Sequence, residues 1–190
     1  MMENPVSAPD WSRIPAPVDD GAATHLVGLT LPSLPLKATN GSMVDLAALS
    51  GLTVVYVYPR TGRPDVENPD GWDLIPGARG CTPQSCAFRD HFAELKVLGV
   101  DHLFGLSTQD TAYQSEAAER LHLTFPLLSD EPLQLTKALD LPSFTTSGMT
   151  LLKRITLIIS NGTIEHVFYP VFPPDRNAAE VVEWLAKRTR

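Results

Sequence analysis

The segment RITLIISNGTIEHVFY at 154–169 constrains the fold most, because two β-branched runs flank Asn161-Gly162. An Asn-Gly pair between such runs predicts a β-hairpin with a two-residue turn. A second apolar run, TVVYVYP at 53–59, predicts a buried strand that is closed by proline. Helical patterns alternate with further strands between these segments. The sequence therefore predicts an α/β fold with a central mixed β-sheet flanked by helices.

The remaining predicted elements follow the same alternation. They are a short helical piece at 44–49, a helix from the cysteines to Gly99, a strand in VDHLFGLS, a helix in DTAYQSEAAERLH, a strand and helix in FPLLSDEPLQLTKALD, and a closing helix in DRNAAEVVEWLAKR. Residues 60–80 are rich in proline and glycine and form a long loop, which favours either a functional lid or a disordered insertion. Trp72 in this loop either caps a site or fixes the loop to the domain.

Length and composition predict one domain with an irregular N-terminal arm. A chain of 190 residues, 43% of them hydrophobic, is enough for a single sizeable core. Residues 1–23 are rich in proline and aspartate and show no helical or strand periodicity, so we expect a surface arm anchored by Trp11. Residues 24–190 are assigned to the α/β domain.

The charge distribution argues against several partner classes. The net charge is -7, and the 15 lysines and arginines are scattered, which disfavours nucleic acid and anionic membranes. No apolar run is long enough for a transmembrane helix, and the N-terminal residues lack a secretion-signal pattern. We therefore expect a cytoplasmic protein. In a reducing compartment, a close cysteine pair is more often catalytic, redox-active or metal-binding than a permanent disulfide.

Cys81 and Cys86 are the two cysteines of the chain, and they lie where the cysteine-containing helix begins. Pro83 fits the first turn of this helix, which places Cys81 at or near its N-terminus. The unsatisfied N–H groups and the helix dipole there favour a thiolate, and the pKa of a cysteine so placed can fall from about 8.5 to roughly 3.5–7.5. Cys81 is therefore the better nucleophile.

The spacing of the two thiols also predicts a conformational step. Five helical residues separate two Cα atoms by roughly 7.5 Å along the axis, which exceeds the ~7 Å that a disulfide tolerates. The first turn and a half must therefore unwind if Cys86 is to bond with Cys81.

Two other interpretations of the cysteine pair stay open on the residues alone. The pair can be inert and buried, since free cysteine is among the most buried residue types. A zinc site that adds His91 is disfavoured, because the spacing is unusual and no fourth ligand is evident. We expect no metal.

Four segments carry a resemblance to a known family. CTPQSCAFRD at 81–90 is similar to the C-T-x-[EQ]-[AS]-C-x-[FL]-R-D signature of the peroxiredoxin Q, or bacterioferritin comigratory protein, branch of the peroxiredoxins. VVYVYP resembles the strand before the active-site loop of that family, FPLLSD is typical of it, and RITLIISNG resembles its R-x-T-[FL]-x-[IV]-x-x-x-G strand. The resemblance covers about residues 26–187 in the family's order.

The resemblance implies a thioredoxin-like fold and thiol-dependent reduction of hydrogen peroxide and organic hydroperoxides. By position, Cys81 corresponds to the peroxidatic cysteine, Cys86 to the resolving cysteine, and Arg154 to the arginine that stabilises thiolate and peroxide. The implied reductant is thioredoxin or a similar dithiol donor, with no metal, flavin or haem cofactor. A resolving cysteine in the same chain is compatible with a monomer or a homodimer.

The chain departs from the family in the loop before the cysteine. The family has Y-P-x-x-x-T-P-G-C, whereas here Ala78 stands at the threonine, Arg79 replaces the proline, and about fifteen additional residues separate Pro59 from Cys81. We hypothesise that Thr61 supplies the missing hydroxyl and that Arg79 adds a second cation near the thiolate. Pro59 is a third candidate for support of the substrate or the thiolate.

Two alternative functions fit the same fold. A thiol–disulfide oxidoreductase normally uses C-x-x-C, and the spacing here is C-x4-C. A redox sensor would keep the reactive thiol but turn over poorly with any reductant. Catalytic consumption of peroxide distinguishes the enzyme from the sensor.

Overall fold

The predicted hairpin is formed by β8 (Ile155–Ser160) and β9 (Thr163–Phe168), which pair antiparallel. The computed structural model describes residues 9–188. The turn residues Asn161 and Gly162 have φ of 47° and 79°. A two-residue type I′ turn requires positive φ at both positions, so this Asn-Gly pair determines the hairpin.

A mixed sheet of seven strands forms the centre of the described chain. The other strands are β1 (Pro35–Ala38), β2 (Met43–Asp45), β3 (Leu52–Val57), β4 (Val100–Ser107), β5 (Leu127–Ser129), β6 (Ser143–Thr146) and β7 (Met149–Leu152). The sheet order is β2-β1-β5-β4-β3-β8-β9, and β6 pairs with β7 separately. β3, β4 and β5 run parallel, whereas β8 is antiparallel to β3. The predicted mixed α/β architecture is confirmed.

Helices cover both faces of this sheet. They are α1 (Cys81–Val97), α2 (Thr111–Arg120), α3 (Gln134–Leu139) and α4 (Asn177–Arg188). β3 is buried along its whole length, and its side chains enter two cores. Val54 and Tyr56 pack with α1 and α4, whereas Val55 and Val57 pack with α3. Such two-sided burial is typical of a central strand in an α/β sheet that has helices on both faces.

The predicted helical piece at 44–49 is wrong in its first half. Met43–Asp45 forms β2, and the helical part is a short 3-10 helix at Leu46–Ala48. The Asp45 side chain accepts a hydrogen bond from the backbone N–H of Ala47 and thereby caps this turn. An apolar run this short does not distinguish strand from helix by its periodicity.

The long loop at 60–80 is ordered by its own apolar residues. A 3-10 helix spans Trp72–Leu74, and the side chain of Trp72 is only 5% exposed. Trp72 packs with Ala78 and with Leu151 of β7, and its ring centroid lies 6.4 Å from that of Phe144 in β6. The insertion is therefore held against the β6–β7 pair.

The described part of the N-terminal arm is attached at two points. Trp11, the predicted anchor, donates a hydrogen bond from Nε1 to Asp175 Oδ2 at 2.9 Å. Asp20 is a second anchor that the sequence analysis missed, since its carboxylate accepts from Lys153 Nζ at 2.7 Å and from the Tyr169 hydroxyl at 2.8 Å. These hydrogen bonds hold the pKa of Asp20 well below its usual range.

The division of the chain at residue 23 stays a prediction. Residues 1–8 of the predicted arm and residues 189–190 of the predicted domain lie outside the described residues. Between residues 9 and 188, none of the helices has both the length and the apolar character that a membrane crossing needs.

Candidate active site

Cys81 is the first residue of α1, as the sequence analysis predicted. Its side chain is 4% exposed, and Sγ accepts a hydrogen bond from Arg154 Nη2 at 3.2 Å. As a thiol, Sγ can instead donate to the carbonyl oxygen of Ala78 at 3.7 Å. The N-cap residue, Gly80, has a φ of 107°, and a Cβ there would lie 2.7 Å from the ring of Trp11. Glycine is therefore required directly before the thiol.

Arg154 lies immediately before β8 and is 3% exposed. Besides Cys81, Nη2 faces the carbonyl oxygens of Gly77, Ala78 and Arg79 at 3.2–3.3 Å. None of the partners of the guanidinium among the described residues is a carboxylate. A buried cation without an anionic partner is costly, so the guanidinium is placed to stabilise negative charge at the position of Cys81 Sγ.

Gln84 orients the other end of the guanidinium. Arg154 Nη1 donates to Gln84 Oε1, and Gln84 Nε2 donates to Asn177 Oδ1 at 3.1 Å. The same oxygen of Asn177 accepts from the Thr156 hydroxyl at 2.6 Å. Gln84, Thr156 and Asn177 are each 0% exposed. The sequence analysis singled out neither Gln84, which stands at the [EQ] position of the signature, nor Asn177.

Cys86 is half-buried and lies one and a half turns further along α1. Burial raises the pKa of its thiol, Arg89 lowers it, and Asp90 raises it further. Cys86 is therefore held as a neutral thiol while α1 is folded.

Tyr56 holds the part of α1 that lies beyond its first turn. The Tyr56 hydroxyl donates to Ser85 Oγ at 3.1 Å, and its ring stacks on Phe88 at 4.5 Å between centroids. Burial raises the pKa values of Tyr56 and Tyr58, so both remain neutral phenols. Unwinding of α1 past Cys86 therefore has to break the contact between Ser85 and Tyr56.

Both thiols line one cavity of about 440 Å³. The other lining residues come from the arm, the insertion, the start of α1 and the segment before α4: Pro9, Arg60, Gly62, Asn68, Trp72, Ala78, Arg79, Gly80, Thr82, Pro83 and Asp175. Trp72 thus both fixes the insertion and forms a wall of the site. The insertion is a structural part of the cavity, which agrees with the lid interpretation of residues 60–80.

The structure does not bring Thr61 into this cavity. Thr61 is 1% exposed, and its hydroxyl donates to Gln109 Oε1 at 3.3 Å. Pro59 is likewise buried outside the lining of the cavity. Of the described residues that line the cavity, it is Thr82 and not Thr61 that carries a side-chain hydroxyl. Thr82, one position after Cys81, was not singled out by the sequence analysis.

Arg79 lines the cavity, but its charge is shared. Its guanidinium forms an exposed ion pair with Asp73 at 3.4 Å. Ala78 is fully buried and also lines the cavity, so the position of the family threonine faces the site without a hydroxyl. Arg154 rather than Arg79 is the cation in contact with Cys81.

The hypothetical zinc ligand His91 lies apart from this site. Its Nδ1 is 3.0 Å from Glu94 Oε2 at the helix surface. Over the described range 9–188, no group of three or more His, Cys, Asp or Glu side chains is placed to hold a metal ion.

Comparison with protein families identifies the chain. The family described as Redoxin matches residues 15–182. The chain belongs to the redoxin family. Its curated relatives include peroxiredoxin Bcp of Escherichia coli, 35% identical over 159 residues that cover 81% of this chain and 91% of the relative. A chloroplastic peroxiredoxin Q of Triticum aestivum is 30% identical over 187 residues, covering 94% of this chain and 77% of the relative.

The chain spans 65% of the length of a further relative, the chloroplastic peroxiredoxin Q of Oryza sativa subsp. japonica, at 30% identity over 83% of this chain. Among solved structures, peroxidoxin BcpB of Mycobacterium tuberculosis superposes with a TM-score of 0.69 at 23% identity, covering 87% of this redoxin and 99% of that chain. This likeness confirms the thioredoxin-like fold. The redoxin is a peroxiredoxin of the Q/Bcp type, and such proteins are thiol-dependent peroxidases.

Proposed function

We propose that this redoxin reduces hydrogen peroxide and organic hydroperoxides with Cys81 as the peroxidatic cysteine, Cys86 as the resolving cysteine and Arg154 as the stabilising cation. The hydrogen bond from Arg154 Nη2 to Cys81 Sγ, 3.2 Å long and buried at the start of α1, carries the proposal. It combines a helix N-terminus and a guanidinium without an acidic partner at one sulfur atom.

In the first step, the Cys81 thiolate attacks the terminal oxygen of the hydroperoxide. An S–O bond forms and the O–O bond breaks, so that Cys81 becomes a sulfenic acid and the substrate leaves as water or an alcohol after taking up a proton. Arg154 stabilises the negative charge as it moves from sulfur to the leaving oxygen. Guanidinium suits this role because it remains charged and offers several donors in one plane.

In the second step, the Cys86 thiol condenses with the sulfenic acid. A disulfide forms and one water molecule leaves. Since two thiols five residues apart on an intact helix cannot bond, the first turn and a half of α1 unwinds. The Ser85–Tyr56 hydrogen bond and the hydrogen bonds of Gln84 are released in this step.

In the third step, an external dithiol reduces the disulfide by thiol–disulfide exchange, and the helix reforms. A thioredoxin-type reductant fits this chemistry. A solved structure of Xanthomonas campestris bacterioferritin comigratory protein concerns the alkyl peroxide reduction activity of that protein, which supports organic hydroperoxides as substrates here. The cycle takes place in a reducing compartment, and the cytoplasm is the setting we propose, with a monomer or a homodimer as the functional unit.

The test is a coupled assay with thioredoxin, thioredoxin reductase and NADPH on wild type, Cys81→Ser and Cys86→Ser. We expect steady turnover by wild type and none by Cys81→Ser. Cys86→Ser should react once and stop as a sulfenic acid, which dimedone labelling and mass spectrometry detect. A wild type that reacts once and then stops with every dithiol donor supports the redox sensor instead.

A further inference from the structure

The side-chain amides between Arg154 and α4 can be arranged in only one way. Arg154 Nη1 is a donor, so the atom of Gln84 that faces it has to be the oxygen. The NH₂ group of Gln84 therefore faces Asn177, and Asn177 has to accept its hydrogen bond with the side-chain oxygen. The orientation of Asn177 is thus determined by the charge on Arg154, two side chains away.

Among the described residues, Arg154 Nη1 has Gln84 as its hydrogen-bond partner. Nη2 instead faces one sulfur and three carbonyl oxygens. The rotation of the guanidinium about its long axis therefore depends on where Gln84 Oε1 lies. A glutamine side chain has several free torsions and loses about 2 kcal/mol of rotamer entropy when it is fixed. Gln84 can keep Arg154 in one orientation only if its NH₂ group is also fixed by a hydrogen bond.

Asn177 supplies that hold from a different element. It is the first residue of α4, fully buried, and its Oδ1 lies 3.1 Å from Gln84 Nε2. The Thr156 hydroxyl of β8 donates to the same oxygen at 2.6 Å, in a bond that does not involve Gln84. Among the described residues, the Asn177 Nδ2 group makes no hydrogen bond of normal geometry. This NH₂ group faces the Glu180 carboxylate of the same helix, so the hydrogen bonds of Asn177 to Gln84 and Thr156 are both made by its oxygen.

We propose that Asn177 is a positioning residue of the peroxidatic centre, which holds Gln84 and, through Gln84, aligns the Arg154 guanidinium with Cys81. This inference rests on the proposed function of Cys81 and Arg154. It links three elements at one point, since Gln84 lies on α1, Arg154 lies immediately before β8, and Asn177 begins α4. When the first turns of α1 unwind, Gln84 leaves Asn177, and Arg154 loses its alignment at the same time.

Two rate constants test the proposal. The first is the second-order reaction of reduced protein with hydrogen peroxide, followed by stopped-flow fluorescence. The second is alkylation of Cys81 by iodoacetamide in a Cys86→Ser background, which reports on thiolate activation without any peroxide chemistry. We expect Asn177→Ala to slow both reactions about tenfold, because misalignment of a catalytic group by a fraction of an ångström is costly.

Thr156→Val is the matched control. It removes the other hydrogen bond to the same Asn177 oxygen, so the midpoint of its urea unfolding should fall about as far as that of Asn177→Ala. Gln84 keeps its partner in this variant, and we expect both rate constants to stay within about twofold of wild type. Equal slowing by the two variants would show that Asn177 is only a structural residue and would overturn the proposal.

A double-mutant cycle tests the route of the effect. If Asn177 acts through Gln84, adding Asn177→Ala to Gln84→Ala should cause no further slowing. An undiminished tenfold effect in the Gln84→Ala background contradicts the proposal. If the alanine variant does not fold, Asn177→Asp addresses the same point, since it keeps the accepting oxygen and should retain the alkylation rate within about threefold. A tenfold loss in that variant again contradicts the proposal.

The two readouts separate this inference from the proposed function. A wild type that alkylates rapidly but consumes no peroxide would contradict the peroxidase function while the alkylation series still tests Asn177. A wild type that consumes peroxide, with Asn177→Ala equal to it in both readouts, would leave the peroxidase intact and exclude the role of Asn177.

Discussion

Arg154 Nη2 lies 3.2 Å from Cys81 Sγ across 73 positions of sequence, and both side chains are buried. We expect Arg154→Met to slow the reaction of Cys81 with hydrogen peroxide about 10²–10³-fold, because one aligned donor to a developing oxyanion has a value of this size. Arg154→Lys keeps the charge but loses the planar fork, so its rate should fall between the two. Stopped-flow measurements at fixed pH determine the three rates. A rate for Arg154→Met within threefold of wild type excludes this role.

Thr82 is expected to provide the hydroxyl that the family has at position 78. Thr82→Val should slow the peroxide reaction at least about tenfold, because Thr82 lines the cavity beside Cys81 and carries a hydroxyl. Thr61→Val is the control, since the hydroxyl of Thr61 is engaged with Gln109, and its rate should remain within about twofold. If Thr61→Val is the slower variant, the hypothesis for Thr61 is right and the assignment to Thr82 is wrong.

Gly80 is expected to be intolerant of any side chain. Gly80→Ala places a Cβ within 2.7 Å of both Trp11 and Pro174 at a φ of 107°. Gly71→Ala is the matched control, because Gly71 has a φ of 72° and a Cβ added there would meet nothing within 4 Å. Both variants incur a backbone cost of about 1–2 kcal/mol, and Gly80→Ala should lose about 1–3 kcal/mol more through the clash. Urea unfolding measures the difference. Equal losses of unfolding free energy would show that Trp11 and Pro174 move aside without destabilising the protein.

The stability of the reduced protein should fall at alkaline pH through Cys86. Burial raises the pKa of this thiol in the folded state, so the folded protein binds the proton more tightly than the unfolded chain. The resulting stabilisation is present below the ordinary thiol pKa of about 8.5 and is lost as pH rises through the folded-state value. Between pH 7 and pH 9.5, wild type should therefore lose more unfolding free energy than Cys86→Ser. Identical pH slopes in urea titrations of the two proteins contradict this expectation.

Local sequence signals predicted much of the fold and, within the site, the position of Cys81 at a helix start. The Asn161-Gly162 turn, the buried strand before Pro59 and the position of Cys81 at a helix start each follow from a short stretch of chain. Arg154 was identified only through the family resemblance, because its contact with α1 joins residues that are distant in sequence. Periodicity and turn chemistry carry no information about such contacts.

The remaining parts of the site depend on tertiary packing. Asn177 reaches Gln84 across 93 positions, and no local rule pairs two amides over that distance. The insertion was correctly recognised as a long loop, yet its attachment through Trp72 to the β6–β7 pair depends on strands that the sequence analysis did not predict. Thr61 was a reasonable choice by position, and the hydrogen bonds of Gln109 draw it away from the cavity.

The three tryptophans of the chain give it an intrinsic optical readout. Trp11 touches the residue before Cys81, and Trp72 forms a wall of the cavity, whereas Trp184 stacks on His166 at 4.6 Å on α4. Indole emission responds to the polarity around the ring, so helix unwinding at Cys81 changes the surroundings of the first two and leaves the third as an internal reference. If the proposed redox cycle operates, each turn of it is expected to change the fluorescence of the unlabelled protein.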